Sequence, residues 1–241
     1  MKLSAVTSLY LKALTVGLFT VSAQAALYDR GNGMIYDDVL NITWLQDANY
    51  AQTSGYDTDG RMTWDQANTW VANLSYGGYN DWRLPSARLN GTNFPCTGSY
   101  ESCPGLYDGT NDLSYNNTRS EMGHLFFELG NLARYSTTGV EQVGYGVTNS
   151  TFVDAGTNQN VSFLNLISLV YWEAETYAPN PATAWSFHPN YGRQSNRGKS
   201  LDTYVWAVRD GDVAAVPVPA AAWLLGSALL GLVGLKRRKT H

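Results

Sequence analysis

The sequence predicts an α+β fold with two helices, short antiparallel sheets and long surface loops. Three observations carry that expectation. Two stretches, Thr63–Leu74 and Ser120–Leu129, combine a hydroxyl N-cap with apolar residues at helical spacing. Several short runs rich in Val, Ile, Tyr, Phe and Trp are bounded by Gly, Asn and Asp, as strands are. The intervals between them are filled by Asn, Ser, Thr and Gly, which punctuate chains rather than fill cores.

Taken in order, residues 34–46 read as two short strands around a polar turn. Residues 47–62 read as loop, punctuated by Gly55 and Gly60. Thr63 and Gln66 form a capping-box pattern, and Ala67, Trp70, Val71 and Leu74 follow on one face until Gly77-Gly78 stops the helix. A long irregular stretch runs from Ser86 to about Asn117. Ser120 caps the second helix, with Met122, Leu125, Phe126 and Leu129 aligned, and Gly130-Asn131 ends it. Loops and short hairpins are expected from Tyr135 to Gln159. Strands follow at Leu169–Trp172, Ala184–His188 and Tyr204–Arg209, the last with Tyr204, Trp206 and Val208 on one face and Val205 and Ala207 on the other.

The two ends have a different character. Residues 1–25 carry Lys2 and Lys12 in a run of Leu, Val and Ala that closes on Ala23-Gln24-Ala25, which reads as a signal peptide cleaved after Ala25. Residues 213–241 hold Val216-Pro217-Val218-Pro219-Ala220, an apolar segment 220–235 and the basic end Lys236-Arg-Arg-Lys239. Sixteen apolar residues fall short of the roughly twenty that span a bilayer, so flanking residues or local thinning must make up the length. The cations then stay on the cytoplasmic face. This tail resembles the VPLPA-CTERM sorting signal, a variant of the PEP-CTERM type of Gram-negative bacteria, with Val218 where the family usually has Leu. The resemblance implies transient anchoring in the inner membrane through a transmembrane helix. Recognition by an exosortase-type protease and delivery to the cell surface or extracellular matrix would follow.

Between the ends, residues 26–216 hold ten Lys and Arg against twenty Asp and Glu, a formal charge of −10. That surface repels phosphate backbones and sulfated polymers, so nucleic acid is excluded as a natural partner. The same segment holds seven of the eight Trp, a mixture of aromatic and short polar residues common on exported binding surfaces. Cys96 and Cys103, bracketed by Pro95 and Pro104, fit a local disulfide in an oxidising compartment better than a metal site, because no histidine stands at ligand spacing.

Four segments then fall in a recognisable order: Met62-Thr-Trp-Asp-Gln-Ala67, Tyr79-Asn-Asp-Trp82-Arg83-Leu84-Pro85-Ser86, Tyr171-Trp-Glu-Ala-Glu-Thr-Tyr177 with Ala184-Trp-Ser-Phe187, and Tyr204-Val-Trp206-Ala-Val-Arg209-Asp210. They resemble the Lcl C-terminal-domain-like family of exported bacterial domains, over most of residues 34–212 of a globular domain expected at 26–212. More distantly they are similar to formylglycine-generating-enzyme and C-type-lectin-like folds. The resemblance implies that Trp82, Arg83, Leu84, Pro85, Trp206 and Arg209 form scaffold. By their chemistry the tryptophans pack in the core, Arg83 pairs with an acid or caps carbonyls, and Arg209 holds loop carbonyls.

Three candidate sites remain. Asp57 and Asp59 before Gly60 resemble the opening of a calcium loop, without the later acidic ligand of an EF-hand, and Asp108 with Asp112 is a weaker case. Trp172, Glu173, Glu175 and Tyr177 have the composition of a sugar-binding surface, in which carboxylates accept hydroxyls and rings stack. Glu173 and Glu175 would share a strand face about 7 Å apart, a spacing that does not by itself establish glycosidase geometry. His188 has no nucleophile pattern beside it. The Asn-x-Ser/Thr sequons at Asn41, Asn73, Asn90, Asn116, Asn149 and Asn160 read as polar loop residues.

The expected function is a non-enzymatic surface or matrix protein that binds carbohydrate or another envelope component, without a fixed cofactor beyond a candidate calcium ion. A structural component of biofilm or sheath is the alternative. A formylglycine-generating type of enzyme is the third reading. That chemistry uses copper and a cysteine pair near the domain's end, whereas Cys96 and Cys103 lie well before it.

Overall fold

A computed structural model describes residues 25–89 and 105–213. Cys96, Cys103, the leader 1–24, the sorting motif Val216–Ala220 and the apolar segment 220–235 lie outside the described residues. Within them the fold is α+β. The strands are β1 (Leu27–Asp29), β2 (Met34–Asp37), β3 (Ile42–Leu45), β4 (Arg61–Met62), β5 (Thr151–Val153), β6 (Asn160–Ser162), β7 (Tyr171–Thr176), β8 (Thr183–His188), β9 (Arg193–Gly198), β10 (Thr203–Tyr204) and β11 (Val208–Asp210). The helices are α1 (Tyr50–Thr53), α2 (Trp64–Asn73) and α3 (Glu121–Glu128). None of the described helices is long and apolar enough to cross a membrane.

Two sheets and a hairpin organise the chain. One sheet runs β1-β2-β3-β11 with antiparallel neighbours, the other β4-β10-β7-β8-β9 with β10 parallel to β7, and β5 pairs with β6. The single strand expected at Tyr204–Arg209 is in fact two. The chain leaves the second sheet after Tyr204 and enters the first at Val208, with Val205, Trp206 and Ala207 buried on every side between them. Alternation of inner and outer faces cannot hold where a strand changes sheets. At this crossing the Trp206 ring meets Trp44 at 4.8 Å, Phe163 at 5.3 Å and Tyr171 at 6.1 Å, and its Nε1 donates to the Leu45 carbonyl at 2.7 Å. A tilted or edge-on aromatic cluster with its one polar atom satisfied is a stable core for two sheets.

Both expected helices form where their caps placed them. The Thr63 hydroxyl accepts from Gln66 N, and Gln66 Oε1 accepts from Thr63 N at 3.0 Å. Ala67, Trp70 and Val71 face inward. Replacing Thr63 by Ala removes one orphan donor's partner, and a loss of about 1 kcal/mol is expected in chemical denaturation. Ser120 Oγ accepts from Gly123 N at 3.0 Å, and Met122, Leu125 and Phe126 are buried.

Residues 47–62 are less irregular than expected: they hold the single turn α1 and the strand β4. Neither shows a periodic pattern, since α1 buries only Ala51 and β4 is two residues long. Between them, Asp57 Oδ1 accepts from Asp59 N at 3.0 Å and Gly60 N at 2.8 Å, and Asp59 Oδ1 accepts from Arg61 N at 3.0 Å. Gly60 sits at φ +75°, where a Cβ would overlap the Asn49 carboxamide. The two aspartates thus spend an oxygen each on shaping this turn. Asp108 does the same through Thr110. Among the described residues no three His, Cys, Asp or Glu side chains gather as a metal group.

Candidate functional site: a charged cleft over a sealed carboxyl

The site begins with a backbone junction. Arg83 N donates to Val208 O at 2.7 Å and Val208 N to Arg83 O at 2.9 Å, so the Trp82–Pro85 turn docks onto β11. Trp82, Leu84 and Pro85 are buried. With its neighbours turned inward, Arg83 is left to reach across the surface. Pro85 O accepts from Ala174 N at 2.8 Å, which brings β7 alongside, and Ser86 O accepts from Glu121 N at 2.9 Å, which brings the start of α3. Three elements distant in sequence therefore meet around Arg83 and Ser86.

All five N–H groups of Arg83 are used. Nη1 donates to Leu84 O at 3.0 Å and Glu121 Oε2 at 2.8 Å; Nη2 donates to Glu121 Oε1 at 2.7 Å and Asp210 Oδ1 at 2.6 Å; Nε donates to Asp210 Oδ1 at 3.1 Å. Burial alone would lower the guanidinium's pKa, but Glu121 and then Asp210 hold it above its ordinary value. A saturated, planar fork of this kind ties the turn to its neighbours. Arg209 grips the Asp81 carboxylate through two 2.8 Å bonds and one carbonyl, that of Asp212, rather than carbonyls alone. Asp81 is lowered below its usual carboxylate range by that pairing.

Around this junction lies an open cleft of about 430 Å³, lined by Arg83, Ser86, Arg88, Glu121, Glu175 and Asp210 over apolar Leu40 and Ile42. Glu175 is half-buried and pre-set: Oε1 accepts from Ser86 Oγ at 2.6 Å and Oε2 from Ala87 N at 2.8 Å. Asp210 stands at the mouth with 78% of its side chain exposed. Arg88 lies 3.7 Å from Asp112, which Arg119 approaches at 3.2 Å, and its guanidinium is 5.2 Å from the Trp185 ring centroid.

Beneath the cleft is Glu173. It is fully buried, and neither carboxyl oxygen makes a hydrogen bond of normal geometry. Burial raises its pKa well above the usual range, the charge of Glu175 adds to this, and the Ser120 hydroxyl offsets only part. Burial thus favours the protonated, neutral form of Glu173. Around it Arg83 pairs with Glu121 and Asp210, and Arg88 and Arg119 both approach Asp112.

The sugar-binding surface expected from Trp172, Glu173, Glu175 and Tyr177 thus needs correction. β7 is the central strand of its sheet, between β10 and β8, and its first three residues, Tyr171, Trp172 and Glu173, are buried. Trp172 has no exposed surface and donates Nε1 to Met62 O at 2.8 Å. Tyr177 is 7% exposed and packs edge-on against Trp185 at 5.0 Å. Neither ring presents a face for stacking. The β7–β8 register shifts between Trp172 and Thr176, so simple alternation does not hold across Glu173 and Glu175, and of the two only Glu175 lines the cleft. His188 is held neutral, its pKa pushed down to about 3 by burial and then by Arg193 and Arg197.

Sequence reasoning did not single out Ser86, Arg88, Glu121 or Asp210 as cleft residues. One signal was available. A glutamate at the first position of an amphipathic helix, Glu121, follows a turn whose arginine needs an acid. Comparison of the chain with protein-family models, with characterised proteins and with solved structures finds no match.

Proposed function

We propose that the chain is an exported, surface- or matrix-targeted protein that binds a carbohydrate or another envelope component without turning it over, and that the cleft beside β7 is where it binds. The observation that carries this reading is the pre-set polarity of the cleft. Glu175 and Asp210 offer carboxylate acceptors at fixed positions, and the Ser86 hydroxyl and Arg88 stand beside them. Such groups bind hydroxyls at low ordering cost, because their own rotamers are already fixed. The acidic surface, with its formal −10 over residues 26–216, favours a neutral polyhydroxyl ligand over a sulfated one.

Catalysis by the carboxyl pair is disfavoured by the same geometry. A general acid must reach the proton acceptor, and Glu173 is sealed beneath the strand. In this reading the leader is removed by signal peptidase after Ala25. The tail holds the chain in the inner membrane until an exosortase-type protease releases it to the surface or matrix. Docking of the Arg83 turn on Val208 joins two of the four sequence segments, which supports the Lcl C-terminal-like and C-type-lectin-like reading of the domain.

The test is a glycan array probed with exported protein, with and without calcium. Binding to a neutral glycan is expected. Asp210→Asn and Glu175→Gln should each weaken it about tenfold or more, the worth of one charged hydrogen bond. Absence of binding to every neutral and acidic glycan would remove the carbohydrate reading.

A further inference from the structure

We propose that Ala26 is the amino terminus of the mature protein, and that its α-ammonium is held by the Asp38 carboxylate as an ionic latch on the first strand. The inference rests on the export reading, and it adds what the cleavage does to the fold.

The geometry is local and specific. Ala26 N donates to Asp38 Oδ1 at 2.8 Å, and Asp38 N returns a bond to Ala26 O at 3.3 Å. The ladder proper starts one residue later, at Leu27 opposite Asp37. No hydrogen bond among the described residues involves Ala25. The last backbone group engaged by the fold is thus the nitrogen that cleavage after Ala23-Gln24-Ala25 would free.

Cleavage changes the character of that nitrogen without moving it. A signal-peptidase-class enzyme hydrolyses the Ala25–Ala26 peptide bond. Water's hydroxyl goes to the Ala25 carbonyl carbon and its proton to the Ala26 nitrogen, and the carboxylic acid so formed ionises, its proton being taken up by the amine, with no change of oxidation state. An amide with one N–H becomes an amine that is an ammonium at neutral pH, with three N–H groups and a positive charge. The bond to Asp38 then becomes charged on both sides, the shorter and stronger kind. Before cleavage, Asp38 already orients the nitrogen, so no side chain has to be rebuilt.

The latch also has a mechanical setting. β1 is the edge of its sheet, where strands fray. Its other contacts are Ala155 N to Leu27 O at 3.0 Å, Asp29 N to Asp154 Oδ1 at 2.8 Å, and the two-pronged Arg30–Asp212 pair at 2.8 and 2.6 Å. These hold β1 from Leu27 to just past Asp29, and the Ala26–Asp38 pair holds the residue before it. Other titratable groups near the latch are Asp37 and Tyr36, which both feel the Asp38 charge, His124 facing Asp37, and Glu128 across the groove from Ala26.

The full-length gene is expressed, exported material is purified, and its amino terminus is sequenced. The rate of labelling by an amine-reactive ester is then followed against pH. A first residue of Ala26 is expected, with an α-amino pKa above the ordinary value of about 7.7–8.0. At pH 7 the wild type should label about threefold more slowly than Asp38→Asn, as a half-unit rise in pKa implies. Asp38→Glu should restore slow labelling. A start at any other residue overturns the latch and leaves export standing. A start at Ala26 with an ordinary pKa in the wild type also overturns it, whether or not the variants fold. Recovery of the chain only with its leader intact overturns both the latch and the export reading.

Discussion

Replacing Arg83 by alanine is expected to lower the unfolding free energy by about 3–5 kcal/mol, the range for breaking a buried ion pair from one side. Glu121 keeps only 5% of its side chain exposed, and without Arg83 its remaining donor is the Ser86 amide at 2.7 Å. A buried carboxylate with one neutral partner is poorly compensated. Arg83 itself is 30% exposed, which argues for the lower half of the range. Even that is a large share of the stability of an ordinary domain, about 5–15 kcal/mol, and corresponds to a fall in Tm of roughly 10 °C. Denaturant titration at pH 7 reads the loss directly. Arg83→Lys should recover only part of it, since an ammonium keeps the charge but not the fork that reaches Glu121, Asp210 and Leu84 together. The double variant Arg83→Met with Glu121→Gln should be much closer to wild type than Arg83→Ala, because no charge is left stranded. A single-variant loss under about 1 kcal/mol would mean the junction is held by its backbone bonds alone.

Glu173→Gln is expected to stabilise the protein by a margin that grows as pH rises from 4 to 8, and to leave it nearly unchanged at pH 4. The folded state keeps Glu173 protonated, while the unfolded chain releases that proton above an ordinary glutamate pKa of about 4.3. With the folded pKa raised, stability is fully present below the unfolded value and is lost as pH climbs toward the folded one. The slope is up to about 1.4 kcal/mol per pH unit. Glutamine is neutral at every pH and removes that slope. Asp37, also raised by burial, and His188, lowered, give the wild type a background pH dependence of their own. The difference between variant and wild type from pH 4 to 8 is therefore the quantity to measure. Parallel profiles over that window would show that Glu173 ionises freely in the folded protein, against its burial.

Features written in local chemistry were legible before any fold was known. Thr63 with Gln66, and Ser120, mark helix starts because a cap needs only the next three residues. Met34–Asp37 and Ile42–Leu45 were legible for the same reason, being joined by a tight polar turn. β9 was not legible. Its sequence, Arg-Gln-Ser-Asn-Arg-Gly, has no apolar face, yet Gln194 is buried and bonded to Ala87 O and Asn117 Nδ2. A polar strand becomes stable only when distant residues satisfy it, and no window of sequence contains those partners. The candidate site was half legible. Glu175 belongs to the cleft, but Trp172 and Tyr177 are buried because distant residues cover them, Trp172 bonded to the Met62 carbonyl and Tyr177 packed on Trp185.

The sequence alone determined the α+β class, both capped helices and the acidic balance, all of which depend on neighbours a few residues away or on composition. Tertiary structure decided that Trp206 crosses between sheets, that Glu173 is sealed while Glu175 opens on the cleft, and that Glu121 and Asp210 share one arginine. Burial is a property of the whole packed molecule. Two glutamates one residue apart acquire opposite chemistry only when strands, a helix and a turn from four parts of the chain close around one of them.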